Sequence, residues 1–177
     1  MVSLQLVRLR CLTYRFRTMM DAMAQTVSAI PEGFHTITPH LTVDGAANYI
    51  DLLKRAFGAI EVHRSQAPSS KIMHATPRIG DSVVMLNDWF PEFGAKPITR
   101  APWPFAIHLY VHDADGMFAQ ATAAGCKTVM PLADQFWGDR YGQVEDPAGF
   151  RWSIATCKEI PTAEEMEKRQ KAMFGGK

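Results

Sequence analysis

One short phrase occurs twice in this chain. His40-Leu41-Thr42-Val43 returns 68 residues later as His108-Leu109-Tyr110-Val111, and a helix-period stretch closed by glycine follows each copy, at Gly58 and at Gly125. An echo in the same strand, before the same helix, at a whole-module offset is the mark of a duplicated unit. Each unit covers one face of its small sheet with its own helix, so the other face must find a partner or enclose a cavity.

The elements follow from periodicity. Extended runs are expected at residues 36–43, 60–64, 72–79 and 82–86, then at 105–111, 127–130, 140–145 and 150–155. Asp44 reads as an N-cap, with Ala46, Ile50, Leu53 and Phe57 at helical spacing before Gly58. Asp113 caps the second helix, lined by Met117, Phe118, Ala121 and Ala124. Ile79-Gly80-Asp81-Ser82 carries hairpin-turn chemistry, and Asp146-Pro147-Ala148-Gly149 makes the last turn. Pro39 and Pro77 lack the N–H a ladder needs, which assigns them to an edge or a bulge. The order is β-α-β-β-β, twice: an α+β fold of two βαβββ modules whose curved mixed sheets surround a cup, plus a C-terminal helix. Residues 34–88 form the first module, 89–104 a crossing segment, 105–157 the second module and 158–177 the C-terminal helix, which Thr162 and Glu165 open as a capping box. Met166, Met173 and Phe174 are expected to dock that helix, while Glu164, Glu165, Glu167, Lys168, Arg169 and Lys171 form its solvated side.

Residues 1–30 read differently. Arg8, Arg10, Arg15 and Arg17 precede the first acid, Asp21, as in a transit peptide; Met19, Met20 and Met23 offer later starts instead. Either way the extension stands outside the fold, disordered or not native. The remaining composition excludes several classes. A net charge of +1 supplies no footprint for a nucleic-acid backbone, and no apolar run is long enough to span a membrane. Cys11, Cys126 and Cys157 are odd in number and lack metal-ligand spacing, which fits a reducing cytoplasm. A glycine-rich phosphate loop, a nucleophile elbow and an HExxH pair are all missing from the sequence.

Four segments, HLTVDGAANYIDLLKRAFGA, KIMHATPRIGDSVVMLND, HLYVHDADGMFAQATAAG and DQFWGDRYGQVEDPAGFRWSIA, resemble the vicinal oxygen chelate superfamily, that of glyoxalases, bleomycin-resistance proteins and extradiol dioxygenases, and within it the PhnB-like branch. The resemblance runs from about Ile37 to Thr156 and implies paired modules, a cup and a homodimer. Metal-using members carry His, Glu or Gln ligands on the first and last strands of the modules. Carried over by strand register, those positions hold Thr38, Met85, Ala106 and Ser153, a poor donor set for a divalent cation. A slip of two residues brings in His40, Asn87, His108 and Arg151, two imidazoles without a carboxylate. No cofactor is expected on this ground, and a divalent metal held by non-standard ligands is the competing reading. The superfamily's methyltransferase label finds no support, for want of a glycine-rich cofactor loop.

The candidate site residues are therefore these. His40 and His108, at equivalent strand positions, form a pair able to hydrogen-bond a ligand or shuttle a proton, against two separately satisfied histidines. His74 is a further strand histidine, more simply structural. In Gln135-Phe136-Trp137-Gly138-Asp139-Arg140-Tyr141, Trp137 offers a stacking surface and Arg140 an anion partner, with Asp139 and Tyr141 beside them. The alternative pairs Asp139 with Arg140 and packs the aromatics. Arg151 and Ser153 alternate with Phe150 and Trp152 and face the cup if those two face the helix; Asn87 joins them from the first module. Trp89, Phe90, Phe93 and Trp103 suit a dimer contact. The expected protein is a cytoplasmic homodimer binding a small anionic or aromatic organic molecule without an obligatory metal. Its alternatives are a metal-dependent lyase, isomerase or dioxygenase, and a resistance protein that sequesters a ligand without turnover.

Overall fold

The computed structural model describes residues 28–93 and 105–174, with the side chains of Phe93 and Phe174 outside the described part. The expectations for residues 1–27 and for Trp103 fall outside it as well. The chain divides into two compact units, Met1–Thr36 and Ile37–Lys177. In the described part of the first, the Phe34 N–H closes a turn onto the Pro31 carbonyl at 3.1 Å.

In the second unit, strand β1 (His40–Val43), helix α1 (Ala46–Phe57) and strands β2 (Ile60–Gln66), β3 (Ile72–Ile79), β4 (Ser82–Val83) and β5 (Met85–Asp88) form the first module. A 3-10 turn (Pro91–Phe93) leaves it. Strand β6 (Ala106–Tyr110), helix α2 (Ala114–Ala123) and strands β7 (Lys127–Asp134), β8 (Asp139–Glu145) and β9 (Arg151–Cys157) form the second, and helix α3 (Ala163–Phe174) follows. One sheet runs β1-β5-β3-β2 with β4 beside β3; the other runs β6-β9-β8-β7. In each, the first strand lies parallel to the last, with His40 opposite Met85 and His108 opposite Ser153, while the remaining pairs are antiparallel. The α+β class and the repeated mixed sheet are thus what the chain adopts.

The repeat extends to how each helix begins, and here Asp44 is corrected. Helix α1 starts from Gly45 at φ 81, with no side-chain cap. The orphan N–H groups turn instead to Asp88, buried at the end of β5, whose carboxylate accepts from Gly45 (3.0 Å), Ala46 (2.8 Å) and Ile72 (2.7 Å). A carboxylate reaching across the sheet serves both the start of α1 and the start of β3, tying the two elements together as well as capping the helix. Sixty-eight residues on, Thr156 stands in the matching place: its Oγ1 accepts from Ala114 N–H (2.9 Å) and donates to the Val111 carbonyl (2.8 Å). Asp113 does cap α2, accepting from Gly116 N–H at 2.9 Å. Helix α1 closes with Gly58 N–H on Lys54 and Ala59 N–H on Leu53, the paired bonds that a left-handed glycine makes possible.

Several strand boundaries differ from expectation. Strand β1 begins at His40 because Pro39 has no N–H; its carbonyl accepts from Met85 at 2.8 Å. Pro77 lies inside the central strand β3, opposite Glu61, where a bulge in β2 relieves the ladder. The run 82–86 divides after Val83: β4 pairs back on β3, and β5 then crosses to lie parallel to β1. Strand β7 continues through Pro131 to Asp134, tolerable because it is an edge strand.

Both helices share one core. Leu41, Val43, Ile72 and Leu86 of the first sheet and Val144, Trp152 and Ile154 of the second pack with Ile50, Leu53 and Phe57. Phe57 lies 4.3 Å from Trp152, ring centre to ring centre, and Gln120 donates to the Arg55 carbonyl from helix to helix. Each such large side chain, fully buried, contributes about 1.5–3 kcal/mol. Asp146 joins the modules: it accepts from Tyr49 Oη (2.7 Å), Trp152 Nε1 (2.8 Å) and the N–H groups of Ala148 (2.9 Å) and Phe150 (3.0 Å). Because the helix-facing sides are consumed in this core, the opposite faces of the two sheets remain for function. Helix α3 is capped by Thr162, which accepts from Glu165 N–H at 3.2 Å. Met166 is half-buried, but Met173, expected to dock, is 58% exposed.

Candidate functional site

Strand alternation builds the site on the second sheet. In β9, Trp152 and Ile154 enter the core, so Arg151 and Ser153 point the other way. Antiparallel pairing sets Gln143 of β8 against Ser153 and Tyr141 against Ala155, and β6 lays His108 beside Ser153. The result is one polar and aromatic face. Ser153 Oγ and Tyr141 Oη are 2.9 Å apart, and Gln143 Nε2 donates to both, at 3.1 and 2.7 Å. At one end Asp139, itself buried, accepts from Trp137 Nε1 (3.0 Å) and Tyr110 Oη (3.2 Å). Trp137 stands edge-on to Tyr141 at 5.5 Å, and His108 lies between Tyr110 (4.5 Å) and Tyr141 (5.9 Å). At the other end the Nε of Arg151 is buried without a hydrogen-bond partner.

Electrostatics follow the packing. Burial pulls the His108 pKa below the ordinary 6.5, against the opposing pull of the Asp139 carboxylate, so the imidazole is neutral at pH 7. The Asp139 bond raises the Tyr110 phenol above its usual value, which keeps it a donor. The face thus presents a guanidinium edge, a neutral imidazole and a band of hydroxyl and amide groups. That set can grip an anionic group, accept a proton and stack a ring.

Among the expected site residues, the structure brings together His108, Trp137, Asp139, Tyr141, Arg151 and Ser153. It does not bring Arg140 to them. Arg140 points to the helix side of β8, where it forms a fork with Asp115 of α2 (2.7 and 3.1 Å) and approaches Asp134 at 3.5 Å. Strand parity explains this correction, since Arg140 sits one residue from both Asp139 and Tyr141. Asn87 belongs to the other sheet, accepting from Thr42 Oγ1 at 3.2 Å. His40 is there too, 5.9 Å and edge-on from His74, whose pKa is lowered by burial and then by the neighbouring His40 and His63. His40 and His108 do not meet within one chain. Asp139 pairs with the indole and the phenol rather than with Arg140. Trp89 has its indole Nε1 buried without a partner, and Phe90 lies under the Lys71 ammonium at 5.3 Å.

Sequence reasoning missed Gln143 and Tyr110, although each stands two residues from an expected member, Tyr141 and His108, and so on the same face. It read Asp146 only as a turn residue; nothing local announces that its carboxylate spans two modules.

The superfamily's divalent metal would need hard donors at the carried-over positions. Ala106 and Met85 offer no hard donor, and Ser153 Oγ is already held by Tyr141 and Gln143. Among the described residues no three His, Cys, Asp or Glu gather as a metal-holding group. In that register the donors of one chain do not fit such an ion, and in the register slipped by two residues Asn87 is engaged by Thr42 and Arg151 brings a cation. Among the same residues no helix is long and apolar enough to cross a membrane.

Comparison with known proteins agrees with the fold. The glyoxalase/bleomycin resistance protein/dioxygenase superfamily matches residues 33–154. An uncharacterised protein of Mycobacterium bovis is 46% identical over 122 residues, which are 67% of this chain and 80% of that protein. TioX from a Micromonospora species superposes with a TM-score of 0.55 at 28% identity, over 70% of this chain and 98% of its own. An Arabidopsis thaliana gene product reaches 0.57 at 25% identity, over 69% and 98%. The repeat, the paired βαβββ sheets and the match across both modules lead to one assignment: the chain belongs to the glyoxalase/bleomycin resistance protein/dioxygenase superfamily.

Proposed function

We propose that this protein binds a small anionic, aromatic organic molecule on the polar face of its second sheet, without an obligatory metal. The observation that carries the reading is Arg151, whose Nε is buried and unpartnered beside the Ser153–Tyr141–Gln143 cluster. A buried donor left without an acceptor costs about 1–3 kcal/mol, and a ligand carboxylate or phosphonate would recover it. Trp137 and Tyr141 supply the walls for a ring, and neutral His108 is the group able to take a proton from the ligand.

A homodimer completes this reading. One face makes a plate rather than a cup, and Tyr110 on it is 66% exposed. The first sheet offers a second plate with His40, His74 and Asn87. Since the helix sides of both sheets are spent on the shared core, we assign the opposing wall to the first module of a second copy, which would set His40 of one protomer against His108 of the other. The segment DQFWGDRYGQVEDPAGFRWSIA, which supplies most of the face, favours the PhnB-like branch, and the free thiols of Cys126 and Cys157 favour a reducing cytoplasm.

A panel of substituted benzoates and phenylphosphonates, screened by thermal shift, tests the reading. Stabilisation of the native protein that disappears in Arg151→Ala supports it. Stabilisation that persists unchanged in that variant refutes it, and a monomer at sedimentation equilibrium refutes the dimeric cup.

A further inference from the structure

The loop that carries Trp137 onto the binding face is held from outside the two modules. Gly138 adopts φ +102, and its carbonyl accepts from the N–H groups of Lys158 (2.9 Å) and Glu159 (3.1 Å), at the start of the segment leading to α3. From α3 itself, the Arg169 guanidinium reaches back. It bonds the Glu159 carboxylate, the Glu165 carboxylate at 2.7 Å, and the backbone carbonyl of Phe136 at 3.4 Å. Phe136 and Trp137 are edge to face at 5.1 Å, and Trp137 continues into Asp139 and Tyr141. An unbroken series of contacts therefore runs from the C-terminal helix to a ring on the binding face. Among the described side chains of α3, Met166 and Arg169 are half-buried, the latter against the expectation of a solvated position, and the others face solvent. A charged helix gains little from so small a described apolar surface, Met166 apart, so the Arg169 cluster is a principal attachment among the described residues.

We infer that helix α3 is a strap and Arg169 a positioning residue, holding the Phe136–Trp137 corner so that the Trp137 ring walls the binding face. Arg169 touches neither ligand nor reacting atoms; it fixes a carbonyl and, through it, the ring. Its planar fork suits the task, since two nitrogens engage two carboxylates and the carbonyl together, which a lysine cannot do. A wall supported from outside in this way sets how closely a planar ligand is gripped, and release of the strap would open the face without unfolding either sheet. The inference rests on the reading of that face as the binding surface.

The test labels the full-length protein with 5-fluorotryptophan and follows the fluorine lines of its four tryptophans, with Trp137→Phe identifying the line of interest. In Arg169→Gln the Trp137 line shifts and its solvent isotope effect rises, while the core Trp152 line stays in place. Arg169→Lys moves it part of the way. Glu159→Gln, which removes the ion pair while leaving α3 intact, moves it in the same direction and covers the case in which Arg169→Gln fails to fold. A Trp137 line unmoved in folded Arg169→Gln overturns the inference, and where that variant does not fold, a line unmoved in Glu159→Gln overturns it. In a second arm, 8-anilinonaphthalene-1-sulfonate serves as an aromatic anionic probe. Arg169→Gln is expected to weaken its binding threefold or more, yet add nothing in a Trp137→Phe background; an equal loss in both backgrounds counts against a positioning role. If Arg151→Ala leaves the probe's affinity unchanged, the binding-face reading fails on its own, and the fluorine result still decides whether the strap holds the ring.

Discussion

Removal of the Asp146 carboxylate should be among the most damaging single changes this chain can suffer. The group is 3% exposed and accepts four hydrogen bonds, from Tyr49, Trp152, Ala148 and Phe150. Asp146→Ala strands the Tyr49 hydroxyl, the Trp152 indole N–H and the Phe150 N–H away from water. At about 1–3 kcal/mol for each of these three buried unsatisfied donors, the cost is about 3–9 kcal/mol. That is a large share of the 5–15 kcal/mol typical of a whole domain, roughly speaking. Asp146→Asn keeps one acceptor oxygen but turns an N–H toward the remaining donors, for about 2–3 kcal/mol. Tyr49→Phe removes a donor and leaves the carboxylate three others, for about 1–1.5 kcal/mol. Because Tyr49 is on α1 and Asp146 lies between β8 and β9, the pair should be coupled: in a double-mutant cycle, Tyr49→Phe costs little once Asp146 is gone. Urea titration monitored by circular dichroism reads these values. An Asp146→Ala variant within about 1 kcal/mol of the native protein would refute the hub role, as would strict additivity with Tyr49→Phe.

Other consequences follow from the same geometry. His108 and His74 both have pKa values lowered by burial, so below pH 6.5 the unfolded chain takes up protons that the folded chain resists. Stability is therefore full above that pH and declines as pH falls through it; His108→Gln should flatten part of the decline in chemical denaturation at pH 5 to 7. Asp88→Ala strands the buried N–H groups of Ala46 and Ile72 and the part-buried one of Gly45 and should cost about 2–6 kcal/mol, whereas Thr156→Val, its counterpart, should cost about 1 kcal/mol, as read from urea midpoints. Gly138→Ala forces a side chain into positive φ and against the Glu159 carbonyl oxygen, so a loss of about 2 kcal/mol or more is expected in thermal unfolding. Cys126, pushed up to about 11 by burial and then by Asp146, should resist alkylation at pH 8, while exposed Cys157 reacts.

Much of the fold was legible because duplication is a sequence-level fact. HLTV and HLYV marked β1 and β6 as equivalent, whereas the parallel pairing that sets His40 beside Met85 and His108 beside Ser153 emerged only in the structure. Period-two alternation was enough to turn Arg151 and Ser153 away from Trp152. The same rule, applied to Arg140 inside the expected run 140–145, would have sent it to the helix side, opposite Tyr141. What could not be read was long-range: Asp88 serving α1 in place of Asp44, Asp146 reaching Tyr49, and Arg169 reaching Phe136. Each depends on a carboxylate or guanidinium meeting backbone or side-chain groups far along the chain, and no periodicity encodes such meetings. The parting of β4 from β5 was hidden for a similar reason, since β5 shifts along β3 to lie between it and β1.

The central claim is that the Arg151 guanidinium is the anion-gripping end of a binding face on the second sheet. Selective observation of arginine Nε–H correlations during a benzoate titration tests it directly. The account predicts that the Arg151 Nε–H signal moves downfield and saturates, with the ring signals of Trp137 and Tyr141 following at the same midpoint. If benzoate leaves that signal where it is, or perturbs only residues of the first sheet, the account is contradicted.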